Sequence, residues 1–250
     1  MKIKGTCEDK FIEVKELFTD LHKSEREVGS SYAVYKDGKP VVDIWGGHCD
    51  KDLKKEWSRD TLATVWSTTK GVAAITLAHA YENDLFDYEE KVAKYWPEFG
   101  CNGKEDITVG MLLSHQAGIC GSSANKVEDY YNQKIMADEL AKMAPLWEPG
   151  TASGYHSMTY GWLTSELMLR ITGKTLGRYF REEIADSNEI DFYIGLPDDE
   201  EFRVAEMIPF PKESNESKSH PNEAQKASGQ GPNLLKHQNT REWRTAEIPS

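Results

Sequence analysis

Residues 65–81, VWSTTKGVAAITLAHAY, decide how the rest of the chain is read. Small and apolar side chains dominate from Gly71 to Ala80, the composition of a helix made for a core, yet Lys70 stands in its first turn. Residues three apart on a helix are surface neighbours, with Cβ atoms about 5–6 Å apart, so Ser67 and Lys70 can touch. A serine hydroxyl is a poor nucleophile until a base takes its proton, and an amine takes it only when its pKa is drawn toward neutrality. Burial and the positive end of the helix macrodipole both favour the neutral amine at this place. The N–H groups of the same turn, that of Ser67 included, can face an oxyanion. Spacing alone is weak evidence, because a serine three residues before a lysine arises by chance in most chains of this length.

The composition narrows the classes. With 250 residues, 38% hydrophobic content and seven Trp, the chain supports a real core in one large domain or two small ones. A net charge of −12 and no run of Lys or Arg leave no electrostatic footprint for a nucleic-acid partner. Cys7, Cys49, Cys101 and Cys120 are scattered and form no C-x-x-C pair, against a zinc site or a disulfide scaffold and for a reducing compartment. The start, MKIKGTCEDKFIEV, has no signal-peptide core, and no apolar run of about 20 residues follows, so the expectation is a cytoplasmic protein without a membrane span.

Working outward, residues 8–27 place Phe11, Val14, Leu17, Phe18 and Leu21 at helical steps, and SSYAVYKDGKPVVDIWGG then switches to two β-rich runs around Asp37-Gly38. That predicts an amphipathic helix followed by an antiparallel hairpin over 31–45, with Pro40 at a strand start or edge. Residues 51–64 read as loop, and the helix 67–83 ends at Asn83-Asp84. Thr108 is placed to cap a helix that buries Val109, Leu112 and Leu113 and stops at Gly118. A charged amphipathic helix is expected over 126–143, and two helical patterns break at Gly173. From Lys212 to Gly231 the only nonpolar side chains besides Pro221 are two alanines, which predicts a surface loop or disorder.

A second motif, Tyr155-His156-Ser157, lies in PGTASGYHSMTYGWLTSEL, and TVGMLLSHQAGI stands between it and the first. In that order the motifs over about residues 10–200 resemble the serine β-lactamase and penicillin-binding-protein superfamily, most closely class C-like esterases and eukaryotic β-lactamase-like proteins. The resemblance implies an α+β fold, a helical region joined to an antiparallel sheet flanked by helices. Residues 1–210 would form that domain, with hairpin 31–45 and helical region 51–200, and 211–250 a polar loop or disordered tail. It implies that Ser67 attacks an ester or amide carbonyl and becomes acylated while Lys70 and Tyr155 move protons as a coupled pair. Ser157 supplies a hydrogen bond, and His115, Gln116 and Tyr130 join it as substrate-binding candidates. The substrate would be a small molecule or peptide with a carbonyl group, and no cofactor or metal is called for.

The family's third motif, K-T-G or H-x-G on a C-terminal strand, is not found: Lys174-Thr175 is followed by Leu176 inside a helical pattern, and His237 by Gln-Asn. The C-terminal strands that complete such a sheet have no counterpart, so the expected fold is incomplete. Losing one oxyanion donor alone typically costs about 10²–10³ in rate, so the expectation is a weak or inactive enzyme. The alternative is a non-catalytic isoform or scaffold that self-associates through an exposed sheet edge. A Ser-His-Asp reading of His115 or His156 lacks the G-x-S-x-G elbow around Ser67, leaving His115 a structural role. His48, Cys49 and Asp50 lie together, but neighbours on a strand point to opposite faces, so no metal site is expected there.

Overall fold

Asp37 and Gly38, with φ of 52° and 74°, form the tight turn that the sequence predicts, because both central residues of such a turn need the left-handed region that Asp tolerates and Gly favours. The computed structural model describes residues 2–124, 126–209, 222–228 and 234–247. The turn joins strands β2 (Gly29–Lys36) and β3 (Lys39–Gly47), paired antiparallel with Tyr32 opposite Ile44 and Pro40 opposite Tyr35, next to a register shift at Val34/Tyr35. A third strand, β1 (Lys4–Cys7), pairs with the far side of β3, giving the order β1-β3-β2. β1 has no apolar alternation to announce it. Gly5 lets it form: at φ 94° its backbone passes so close to β3 that a Cβ would lie 2.0 Å from the Asp43 carbonyl oxygen.

The chain divides into two units. The first holds the described residues of Met1–Thr64 and Asp199–Ser214. In it helix α1 (Ile12–Lys23) lays Phe18 on Val41, Val42 and Ile44 of β3, with Ile3, Cys7, Phe11 and Val34 packed around them. Residues 51–64 carry only isolated bridges, as a loop should, and Leu62 pairs with Val204 beside a small cluster of Cys49, Trp57 and Ala205.

The second unit, the described residues of Val65–Asp198 and Asn215–Ser250, is helical. It contains α2 (Thr69–Glu82), α3 (Val92–Tyr95), α4 (Val109–Leu113), α5 (Val127–Tyr130), α6 (Gln133–Lys142), α7 (Thr159–Thr172), α8 (Leu176–Phe180), α9 (Glu223–Ser228) and α10 (Arg241–Thr245). Its core sets Ala73, Leu77 and Ala80 of α2 against Trp96, Phe99, Leu112, Leu140, Trp162, Leu163 and Leu167. Full burial of a Leu or Phe side chain stabilises by about 1.5–3 kcal/mol, so this cluster is the unit's main source of stability. α2 is not buried all round: Ile75 is 61% exposed, and Gly71, Ala74 and Ala78 share its open side.

Several boundaries differ from the sequence reading. Thr108 does cap α4, accepting from the Met111 N–H at 3.1 Å, but that helix ends at Ser114 and His115, whose φ is 63°, before Gly118 is reached. The pattern over 126–143 is two helices, because Asn132 takes an extended conformation and caps α6 through the Ile135 N–H. Gly173 breaks α7 from α8 as read, in the left-handed region at φ 74°. In the stretch read as loop or disorder, most of 210–233 lies outside the described residues; α9, inside them, buries Ala227 against Cys120. Among the described residues no helix is long and apolar enough to cross a membrane.

Candidate active site

The site is built where the chain enters α2. Trp66 turns sharply, with φ 49°, into a short 3-10 turn (Trp66–Thr68) that runs directly into the helix. Ser67 stands exposed on that turn, and Lys70, one turn on, is buried to 9% exposure. The Lys70 Nζ lies 3.2 Å from the Ser67 Oγ, the contact that i, i+3 spacing predicts. The same nitrogen donates to the main-chain carbonyl of Ser157 at 2.6 Å and sits over the Tyr155 ring, 4.9 Å from its centroid, with the Tyr160 ring at 5.8 Å.

Two loops hold the second segment in place. Gly154 N–H donates to the His115 carbonyl at 3.0 Å, Ser153 Oγ to that of Ser114 at 3.2 Å, and Gly150 N–H to that of Gln116 at 3.2 Å. His156 closes the lacing. Its Nδ1–H donates to the Gly154 carbonyl at 2.7 Å, its Nε2 accepts the Ile119 N–H at 3.0 Å, and its own N–H donates to His115 Nδ1 at 3.2 Å. The His115 ring in turn packs at a tilt against those of Tyr155 and Tyr160, at centroid distances of 5.1 and 5.0 Å. Tyr155 therefore packs on a ring that is itself held by the His156 main-chain N–H.

The electrostatics follow from burial. Desolvation lowers the pKa of Lys70 from the ordinary lysine value of 10.5, and the nearby Tyr155 hydroxyl, by charge and hydrogen bonding, opposes that without reversing it. His115 is lowered by burial first and by the Lys70 charge second. His156, fully buried, is lowered to about 4, chiefly by desolvation, so it is neutral near pH 7. Tyr160 is raised to about 12 by burial.

Of the sequence candidates, Ser67, Lys70 and Tyr155 are brought together, and Ser157 joins them through its main-chain oxygen. His115 lies beneath Tyr155, while the Gln116 side chain turns away to donate to Ser114 Oγ at 3.0 Å. Tyr130 is buried in the helical core, edge-on to Trp162 at 5.2 Å. Both ring nitrogens of His156 are committed to main chain, which leaves it no free face for a triad base. Thr175, in the K-T pair that lacks a glycine, caps α8 through the Arg178 N–H. Among the described residues no cluster of three or more His, Cys, Asp or Glu is arranged for a metal ion. Tyr160, which stands five residues after Tyr155 in the same motif, also borders Lys70, and Trp66 with its backbone turn precedes Ser67; the sequence reading assigns neither a role. A tyrosine in that spacing was the available signal for the first; nothing in the sequence marks the second.

Comparison with known proteins agrees with this geometry. The sequence matches the Beta-lactamase family profile over residues 14–231. It is 38% identical over 209 residues to the esterase/beta-lactamase LipL of Mycobacterium tuberculosis, covering 83% of this chain and 48% of that protein. Among solved structures, it is similar to a family VIII carboxylesterase (39% identity, TM-score 0.89) and to a penicillin-binding protein homologue from Caulobacter crescentus (36% identity, TM-score 0.89). Each comparison covers 100% of this chain and 67% of the other. The chain thus spans about half the length of LipL and about two thirds of the two solved chains. A profile match over most of the sequence, together with relatives above 30% identity, establishes that the chain belongs to the beta-lactamase family.

Proposed function

We propose that the chain carries the acylation half of a serine hydrolase site that acts on a carboxylic ester. The observation that carries the reading is the 3.2 Å approach of Lys70 Nζ to Ser67 Oγ, with the Tyr155 ring against the same amine. Ser67 attacks the carbonyl carbon, its proton passes to the Lys70–Tyr155 pair, and the leaving alkoxide takes a proton from that pair. The Ser67 N–H, in the turn that opens α2, is the near donor for the oxyanion. Lys70 in its neutral form keeps an N–H for the Ser157 carbonyl and offers its lone pair to the serine hydroxyl, which is why a buried amine suits the task. The naming of one relative an esterase/beta-lactamase and of another a carboxylesterase favours an ester over a peptide.

A fluorophosphonate probe tests this without requiring turnover. Incubation of the full chain, followed by tryptic mapping, is expected to put one phosphonyl group on the peptide containing Ser67. An adduct on a different serine, or none at millimolar probe, rejects the assignment.

A second reading concerns assembly. Among the described residues β2 has a strand neighbour on one side only, and its Tyr32 and Tyr35 are exposed, the features of an edge open to pairing. We infer self-association through that edge, giving a dimer in sedimentation velocity that Ala33→Pro returns to monomer; a monomer at 100 μM wild type removes this reading.

A further inference from the structure

Trp66 is a bulky residue held at φ 49°, a left-handed region that such a side chain adopts at a cost and keeps only where the surroundings over-determine it. It immediately precedes Ser67, so the same turn sets where the hydroxyl points. Across from it stands Trp243, 177 positions later in the chain, with ring centroids 5.2 Å apart and planes tilted by 50°. Aromatic pairs in such tilted contact attract beyond their area burial.

Trp243 is itself anchored. α10 is capped by Thr240, whose Oγ1 accepts the Trp243 N–H at 3.3 Å, and Arg241 Nε donates to Asp198 Oδ1 at 3.1 Å. The Leu196 N–H donates to the Arg244 carbonyl at 2.8 Å. Gly195, at φ 84°, allows the close approach behind it: a Cβ there would lie 2.6 Å from Glu247 Cγ. The helix is therefore fixed to the 195–198 loop at several points and holds out one tryptophan toward the residue before the nucleophile.

We propose that Trp243 is a positioning residue for Ser67, acting through Trp66 to hold the turn that opens α2. The meaning of that role rests on the acyl-transfer reading given above; its geometry rests on packing alone. The ring contact of Trp243 is with Trp66, one residue before the serine, so its loss lowers the rate at which Ser67 reacts while leaving the Lys70 pH dependence in place. Misplacement of a reacting atom by about 1 Å can cost about 10²-fold, which sets the scale.

The test uses the full chain and two readouts. In Trp243→Ala, fluorophosphonate labelling of Ser67 is expected to slow by about 10- to 100-fold, and amide hydrogen exchange over residues 65–70 to accelerate. Trp243→Phe keeps an aromatic face and is expected to restore both readouts to within about three-fold of wild type. If Trp243→Ala fails to fold, seen as fast exchange throughout the chain, Trp243→Leu carries the same comparison because it keeps apolar bulk without the ring. Exchange over 65–70 that stays at the wild-type rate in the alanine or leucine variant overturns the proposal. So does a leucine variant as good as the phenylalanine one. A wild-type chain that never labels on Ser67 removes the acyl-transfer reading instead, and the exchange comparison then decides this one by itself.

Discussion

Lys70→Met is expected to slow phosphonylation of Ser67 by about 10²–10⁴-fold, the usual contribution of a positioned general base, and Ser67→Ala to abolish it. The methionine fills similar space, so the loss reports chemistry more than packing. The pH profile separates the two further. Burial lowers the Lys70 pKa from 10.5, so the wild-type rate should climb with pH and level off below the range where a surface lysine titrates. Lys70→Arg stays protonated throughout that range, so its rate should be low and without that limb. His115 is lowered from 6.5 and His156 lies at about 4, so both are neutral above pH 7 and neither can supply a rise there. Tyr155→Phe should fall less far than Lys70→Met if the amine is the immediate base, and further if the phenol is. A Lys70→Met variant that labels at the wild-type rate removes lysine from the mechanism.

The parts of this fold that were legible in the sequence are those with a local cause. Asp37-Gly38 announces its turn because few residues tolerate the conformation it needs, and Thr108 announces a cap because its hydroxyl replaces a missing acceptor. Ser67 and Lys70 meet because they lie on one helical turn, which needs no tertiary information. Their meeting with Tyr155 is legible only through resemblance, since no period links residues 85 and 88 positions apart. What stayed hidden depends on distant partners. β1 is a strand because β3 offers it a ladder, and Gly5 permits the approach; its own four residues have no alternation. α4 stops at His115 because that residue's carbonyl and ring are needed by Gly154 and His156, overriding the glycine three positions on. α2 reads as buried on every side, yet one stripe of it is open, and nothing in its composition distinguishes Ile75 from Leu77.

His156 is expected to make the protein acid-labile well above the pH at which carboxylates protonate. In the folded chain its Nε2 must accept the Ile119 N–H, and a proton on that nitrogen would set two donors face to face in a site with no access to water. Burial is the largest cause of its low pKa; repulsion from His115 and Lys70 adds to it, and the Gly154 carbonyl offsets part. An unfolded histidine titrates near 6.5 and the folded one at about 4, so between those values the unfolded chain binds a proton that the native state refuses. The stability it contributes is therefore complete above pH 6.5 and drains away as pH falls toward 4. At about 1.4 kcal/mol per pH unit the loss is about 3 kcal/mol, most of it gone by pH 4.5. Urea unfolding at pH 7, 5.5 and 4.5 measures the slope, and His156→Gln, which can accept one N–H and donate another without titrating, should be less stable at pH 7 but lose far less on acidification. His115 shares the direction of shift and leaves a smaller residual slope in that variant. If the glutamine variant loses as much stability between pH 7 and 4.5 as the wild type, the acid sensitivity lies elsewhere, and the neutral imidazole is not what ties residues 115–119 to the segment carrying Tyr155.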